Sequence, residues 1–221
     1  MTTSTIRVSM TDCPVVRIDC ENPQGRLIDQ AVALLLRGDL VVAPTETRYG
    51  LLARADDSKS LEKLYRMKGR DRAAAVAIFV DSIEALDTYG VMTPSARRLA
   101  KRFMPGPLTL VLTAADKTAL PVESDGRVGL RVSSSPVVKA ILEQVRKPLT
   151  ATSANPTGHG EAETIDQVVE AFGSDVALYL DAGRLAGPVS TVVLCQGDQT
   201  ELLREGALSA TGVASVLEET A

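Results

Sequence analysis

Two features of the sequence predict a mixed α/β protein with helices packed on a twisted sheet. Apolar residues recur at helical spacing in segments that alternate, along the whole chain, with short β-branched runs. No internal repeat, low-complexity block or long Pro/Gly/Ser linker interrupts this alternation, so one domain over residues 1–221, with a motif-bearing core over 24–206, is the economical division.

Residues 24–37, QGRLIDQAVALLLR, place Leu27, Ile28, Ala31, Leu34 and Leu35 on one helical face, and Gly38 is placed to end that helix. The run DLVVAPT (39–45) reads as a strand that ends at Pro44 and opens into a loop. SKSLEKLYRM (58–67) has a helical pattern and AAVAIFV (74–80) predicts a strand. Asp81 and Glu84 have the spacing of a capping box at the start of another helix. Thr93 and Pro94 supply the cap and first turn of PSARRLAKRF, followed by strands in LTLVLTA (108–114) and RVGLRV (127–132). PVVKAILEQVR (136–146) is helical, LTATSAN (149–155) begins as a strand, and Thr164 with Gln167 caps a helix in TIDQVVEAF. VALYLDAG (176–183), STVVLC (190–195) and TELLRE (200–205) complete the strands, and residues 209–221 form a short helix and tail.

Composition narrows the function classes. Lys+Arg number 24 against 28 Asp+Glu, a net charge of -4, so the chain does not coat nucleic acid or anionic membrane by bulk charge, and any anion site must be local. The three cysteines, Cys13, Cys20 and Cys195, lack CxxC spacing, which argues against a disulfide framework or zinc ribbon and fits a reducing cytoplasm. The first residues contain no apolar run fit for a signal peptide, and no stretch approaches the ~20 apolar residues needed to span a bilayer, so a cytoplasmic location is expected. The single histidine, His159, argues against a Ser-His-Asp triad and against histidine-based metal sites.

Four loops gather small, hydroxyl or cationic residues where strands end, which is where ligands bind in open α/β sheets. APTETRYGL offers Thr45, Glu46 and Thr47; YRMKGRDR offers Lys68 as a point charge and Arg70 as a bidentate fork for phosphate. FMPGPLTLVL makes a rigid Pro-Gly-Pro turn, and LTATSANPTG presents Thr152, Ser153 and Asn155. Further on stand Arg131 in VGLRVSSS, Ser190 in the STVV run and Arg204 in LLREG. Each of these alone is compatible with an ordinary turn or a solvated helix end. Neither GxxxxGK[ST] nor GxGxxG occurs, so a nucleotide would need another architecture.

Taken in order, PTETRYGL, KGR, PGPLTLVL, VGLRV, ATSANPTG, STVV and LLREG resemble the motif set of the YrdC-like family, the threonylcarbamoyl-AMP synthases, over most of the chain. The resemblance implies a twisted mixed sheet with helices around a deep, positively lined cavity for ATP and L-threonine. It also implies a nucleotidyltransferase that joins L-threonine, bicarbonate or CO2, and ATP into threonylcarbamoyl-adenylate and pyrophosphate. The product would pass to a threonylcarbamoyl-transferase complex that modifies tRNA beside the anticodon. By the same resemblance Lys68, Arg70, Ser153, Asn155, Ser190 and Arg204 contact ATP, with Lys68 and Arg70 as the catalytic pair. Thr45 or Thr47 lines the threonine side, Arg131 pairs the amino acid carboxylate, and Mg²⁺ travels on the ATP phosphates.

The chain departs from the family's pattern at Asp71, at Ala75 and Val76, at Phe79 and at Glu161. Its N-terminal part also looks like the YciO branch, so a YciO-like paralogue with altered or no synthase activity is a second reading. A third is an RNA-binding or ribosome-associated module that meets double-stranded RNA or tRNA through a basic patch at the cavity mouth. In the 64–80 stretch, Arg66 and Arg72 are expected to face solvent or Asp71.

Overall fold

The computed structural model describes residues 14–71, 75–115, 120–122 and 124–218. The expectations for Cys13, Arg72 and the last tail residues fall outside these. The chain folds as β1 (Val15–Arg17), α1 (Gly25–Leu36), β2 (Val41–Pro44), β3 (Tyr49–Leu52), α2 (Ser58–Lys68) and β4 (Ile78–Phe79). Then come α3 (Leu86–Tyr89), α4 (Pro94–Phe103), β5 (Leu108–Thr113), β6 (Arg127–Arg131), α5 (Pro136–Val145), β7 (Leu149–Thr150) and β8 (Thr152–Ser153). The last elements are α6 (Ile165–Phe172), β9 (Leu178–Asp181), β10 (Thr191–Gln196), β11 (Gln199–Arg204) and α7 (Ala210–Glu218).

The strands form two mixed sheets rather than one, in the orders β1-β9-β2-β3-β8 and β11-β10-β5-β6-β4-β7. A single stretch of chain, residues 149–153, takes part in both. β7 pairs antiparallel with β4 in the six-stranded sheet, while β8 pairs antiparallel with β3 in the five-stranded one. The crossing is held by Thr150, which is fully buried: its N–H donates to the Ala53 carbonyl at 2.9 Å, and its hydroxyl accepts from Ala53 N at 2.9 Å and donates to Leu51 O at 2.8 Å. Between them the Ala151 N–H donates to Ala77 O at 2.6 Å.

Helices cover the sheets as their apolar spacing requires. α1 and α5 pack on one face of the five-stranded sheet, against Val41, Ala43, Leu178 and Leu180. Leu40, Val42 and Leu51 turn to the other core, which α2, α4, α6 and α7 share. β2 is therefore buried on both sides, which explains its unbroken apolar run. The expected caps form: Thr93 accepts from Ala96 N at 3.1 Å, and Thr164 and Gln167 complete a capping box at α6.

Four details differ from the sequence expectation. β1 and β3 are additional short strands. The strand expected to begin in 149–155 divides into β7 and β8. The Asp81 and Glu84 box does not form; Ser82 Oγ instead accepts from Ala85 N at 3.2 Å, and a helix of only four residues follows. Of the strand expected over 74–80, the described residues 75–80 form strand only at Ile78–Phe79, and Ala77 lies directly against Gly129 of β6. A Cβ at Gly129 would lie 2.9 Å from Ala77 Cβ, so only glycine permits that approach.

Thr150→Val keeps the shape of the crossing but leaves a buried Ala53 N–H without one of its acceptors. Loss of about 1–3 kcal/mol of unfolding free energy is expected, measured by denaturant titration.

Candidate functional site

The two sheets diverge from the crossing at residues 149–153 and leave between them a cavity of about 480 Å³. Five arginines line it: Arg48, Arg70, Arg127, Arg131 and Arg204, from four separate segments, with Glu161 as the one carboxylate in the described lining. Strand alternation explains much of this. In β6, Arg127, Gly129 and Arg131 share the cavity face while Val128 and Leu130 enter the core. In β5, Thr109 and Val111 face the cavity and Leu108, Leu110 and Leu112 the core.

Arg131 is 6% exposed, and its partners are local. Nη2 donates to Thr47 Oγ1 at 3.1 Å and lies 2.9 Å from Glu46 Oε1, whose other oxygen accepts from Ser133 Oγ. The guanidinium stacks over Phe79 at 5.4 Å, and its Nε is buried with no acceptor among the described residues. Thr45 and Thr47 both line the cavity. The Thr45 hydroxyl closes the turn by donating to Arg48 O at 2.7 Å and accepting from Thr47 N at 3.1 Å.

On the other side Arg204 wraps Ser190, donating from Nε and Nη2 to the Ser190 carbonyl at 3.1 and 2.9 Å and from Nη2 to Oγ at 3.1 Å. Ser190 Oγ also sits 3.1 Å from Thr109 Oγ1. Burial lowers the Arg204 pKa from the ordinary guanidinium value, with Glu161 opposing the shift.

The KGR segment works through its glycine. Gly69, at φ +59°, ends α2 in the left-handed conformation, and the Arg70 N–H closes the motif on the Tyr65 carbonyl at 3.0 Å. The chain thereby turns Arg70 into the cavity, where its Nη2 donates to Ala75 O. Arg66 is exposed, as expected.

Lys68 and Asn155 are the expected contact residues that the structure places outside the lining. Lys68 is 4% exposed, and its ammonium donates to the Ser153 and Asn155 carbonyls at 2.6 and 2.7 Å, so it is a fixed brace and not a mobile point charge. Its own carbonyl accepts from Thr157 N at 2.9 Å, which makes the tie between α2 and the 153–157 loop reciprocal. Asn155 shapes the same loop, donating from Nδ2 to His159 O at 2.8 Å and accepting from Ser153 Oγ. Ser153 itself lines the cavity, and His159 is exposed. Desolvation, with the nearby Arg70 charge, lowers the Lys68 pKa to about 8.

Among the described residues no group of three or more His, Cys, Asp or Glu gathers to hold a metal ion, and no helix is long and apolar enough to cross a membrane. Arg48 and Arg127 were not among the residues singled out in the sequence, whereas Glu161 stood out there only as a departure from the family's pattern. The period-two spacing of Arg127 with Arg131 could have found the second; Arg48 and Glu161 come into the cavity only through loop packing.

The Sua5/YciO/YrdC family model, described as "Telomere recombination", matches residues 33–206. The chain belongs to this family. Among Sua5/YciO/YrdC relatives, a Mycobacterium tuberculosis protein provisionally named threonylcarbamoyl-AMP synthase is 36% identical over 90% of this chain and 94% of its own length. The Bacillus subtilis threonylcarbamoyl-AMP synthase is 32% identical over 95% of this chain and 60% of that protein. In structure, P. abyssi Sua5 complexed with L-threonine superposes with a TM-score of 0.86 and 30% identity, over 93% of this chain and 61% of the Sua5 chain. The E. coli YciO structure superposes at 0.84 with 25% identity, over 91% of this chain and 99% of that one. The chain thus spans nearly all of the Mycobacterium and YciO relatives but about 60% of the Bacillus and P. abyssi proteins.

The depressed Lys68 pKa gives this member of the Sua5/YciO/YrdC family a testable pH response. Below about 8 the side chain is a cation behind the cavity wall; above it, the neutral amine keeps two N–H donors for its two carbonyls, but the cavity loses one positive charge. Affinity of the cavity for sulfate, measured by calorimetry, is expected to fall as pH rises through about 8, and this inflection is expected to disappear in Lys68→Met.

Proposed function

We propose that the chain is a threonylcarbamoyl-AMP synthase that uses ATP, L-threonine and bicarbonate or CO2 and releases pyrophosphate. The observation that carries this reading is the convergence of five arginines from four segments on one cavity, in a chain whose net charge is -4. That concentration of positive charge suits a polyphosphate. The buried, unpaired Nε of Arg131 suits a carboxylate oxygen. The names of the Mycobacterium and Bacillus relatives, and the threonine bound in P. abyssi Sua5, support the same assignment.

In this reading the threonine amine, losing a proton, combines with CO2 to give a carbamate. A carbamate oxygen attacks the α-phosphorus of ATP, the bond from that phosphorus to the bridging oxygen breaks, and pyrophosphate leaves with the electron pair. No side chain has to relay a proton in the displacement, so positioning and charge neutralisation supply the catalysis. Arg70 and Arg204 hold phosphate oxygens, Ser153 and Ser190 position the nucleotide, and Arg131 with Thr45 and Thr47 holds the amino acid. Lys68 is a positioning residue in this scheme, acting through the 153–157 loop and through its charge. Mg²⁺ would be held by the ATP phosphate oxygens rather than by a protein carboxylate cluster, and would neutralise part of their charge. The adenylate then passes to a transferase complex acting on tRNA, and the whole reaction takes place in the cytoplasm.

The near-complete overlap with E. coli YciO favours one second reading, a paralogue that holds a nucleotide and has changed or lost the synthase step. Purified protein with ATP, bicarbonate and Mg²⁺ is expected to release pyrophosphate only when L-threonine is added. Arg70→Ala is expected to lower kcat/KM by about 10²-fold or more. ATP binding without threonine-dependent turnover would favour the YciO-like reading instead.

A further inference from the structure

Arg48 meets two carboxylates and one backbone carbonyl. Its Nη1 donates to the Leu185 carbonyl at 2.8 Å and lies 3.1 Å from Glu163 Oε1, which anchors one edge of the guanidinium. Its Nε faces Glu161 Oε2 at 3.4 Å, outside hydrogen-bond geometry, and is buried with no acceptor. Glu163 is held independently by Arg184 at 2.7 Å, and its segment by the Leu185 N–H donating to Glu163 O at 2.8 Å, so the anchor does not depend on Glu161.

Glu161 lines the cavity, and its charge reaches beyond Arg48 to Lys68 and Arg204, favouring the protonated form of each. The carboxylate therefore sits among three cations, where an anionic ligand of the cavity would bring its own charge. Two anions sharing such a place repel each other strongly in a partly desolvated site. A guanidinium edge offers its donors to one planar or tetrahedral oxyanion at a time, so Arg48 Nε serves either Glu161 or a ligand oxygen.

We propose that Arg48 is a further phosphate-binding residue of the cavity and that Glu161 competes with the ligand for it, limiting how tightly the cavity holds polyanions. This rests on the nucleotide reading given above. Arg70 and Arg204 remain the primary contacts, and Arg48 adds a third whose strength Glu161 sets.

The test is a double-mutant cycle read by calorimetry with inorganic pyrophosphate as the probe, using wild type, Glu161→Gln, Arg48→Met and the double variant. Glu161→Gln is expected to tighten pyrophosphate by ~10-fold, the equivalent of ~1.4 kcal/mol. The same substitution in the Arg48→Met background is expected to gain less than about 3-fold. Unchanged or weaker binding in Glu161→Gln overturns the proposal, as does an equal gain in both backgrounds, which would assign the effect to general charge relief. Should Arg48→Met fail to fold, Arg48→Lys replaces it, keeping a cation but not the fork; an undiminished gain from Glu161→Gln in that background overturns the role of Arg48. Wild-type binding of ATP, measured alongside, reports on the nucleotide reading separately: its absence together with absent pyrophosphate binding in every variant sinks both.

Discussion

The cavity exists because residues 149–153 belong to two sheets at once. A strand that pairs with β4 through Leu149 and Thr150 and with β3 through Thr152 and Ser153 forces the sheets together at that line and lets them diverge beyond it. The buried Thr150 hydroxyl, bonded to two backbone groups of the 51–53 segment, removes the freedom to slide along the crossing. A one-residue slip would exchange the cavity and core faces of the strand, so this short segment fixes which side chains can meet in the cavity. Lys68 then fixes the loop that follows, by spending a buried ammonium on the carbonyls of Ser153 and Asn155.

Gathering five guanidinium groups around one space is unfavourable unless each is partly compensated. The structure compensates them unequally. Arg131 has Glu46 and the face of Phe79, Arg48 has Glu161 and Glu163, and Arg127 has the exposed Asp125. Arg70 and Arg204 are held chiefly by backbone carbonyls, which orient a guanidinium without neutralising it. Unneutralised positive charge is therefore greatest on the two arginines assigned to the phosphates, while the side assigned to the amino acid has its charge balanced by Glu46. That asymmetry suits the proposed pairing of one highly charged and one zwitterionic substrate.

Much of this was legible in the sequence, for physical reasons that can be named. Long amphipathic helices and their caps showed themselves because helical spacing and the chemistry of Thr93 and Thr164 are local properties. The arginines of VGLRV and LLREG were marked by their position at strand ends and that of KGR by its place at a helix end, and all three reach the cavity. The strand β1 was not visible, since three residues carry no period and are made a strand by their neighbours, and the division of 149–153 between two sheets was not visible either. Nor was the role of Lys68: its sequence setting looks like a solvated helix end, and only the packing of the 153–157 loop over it turns a point charge into a brace. Arg48 and Glu161 lie more than 100 residues apart in sequence and meet only through the fold.

The account stands or falls on one cavity holding both substrates together. A crystal structure with a non-hydrolysable ATP analogue and L-threonine is the most direct measurement. It should place phosphate oxygens against Arg70 and Arg204 and the threonine carboxylate against Arg131, between the two sheets. Nucleotide bound elsewhere on the surface, or nucleotide in the cavity with Arg131 still engaged only by Glu46 and Thr47 at saturating threonine, would contradict it.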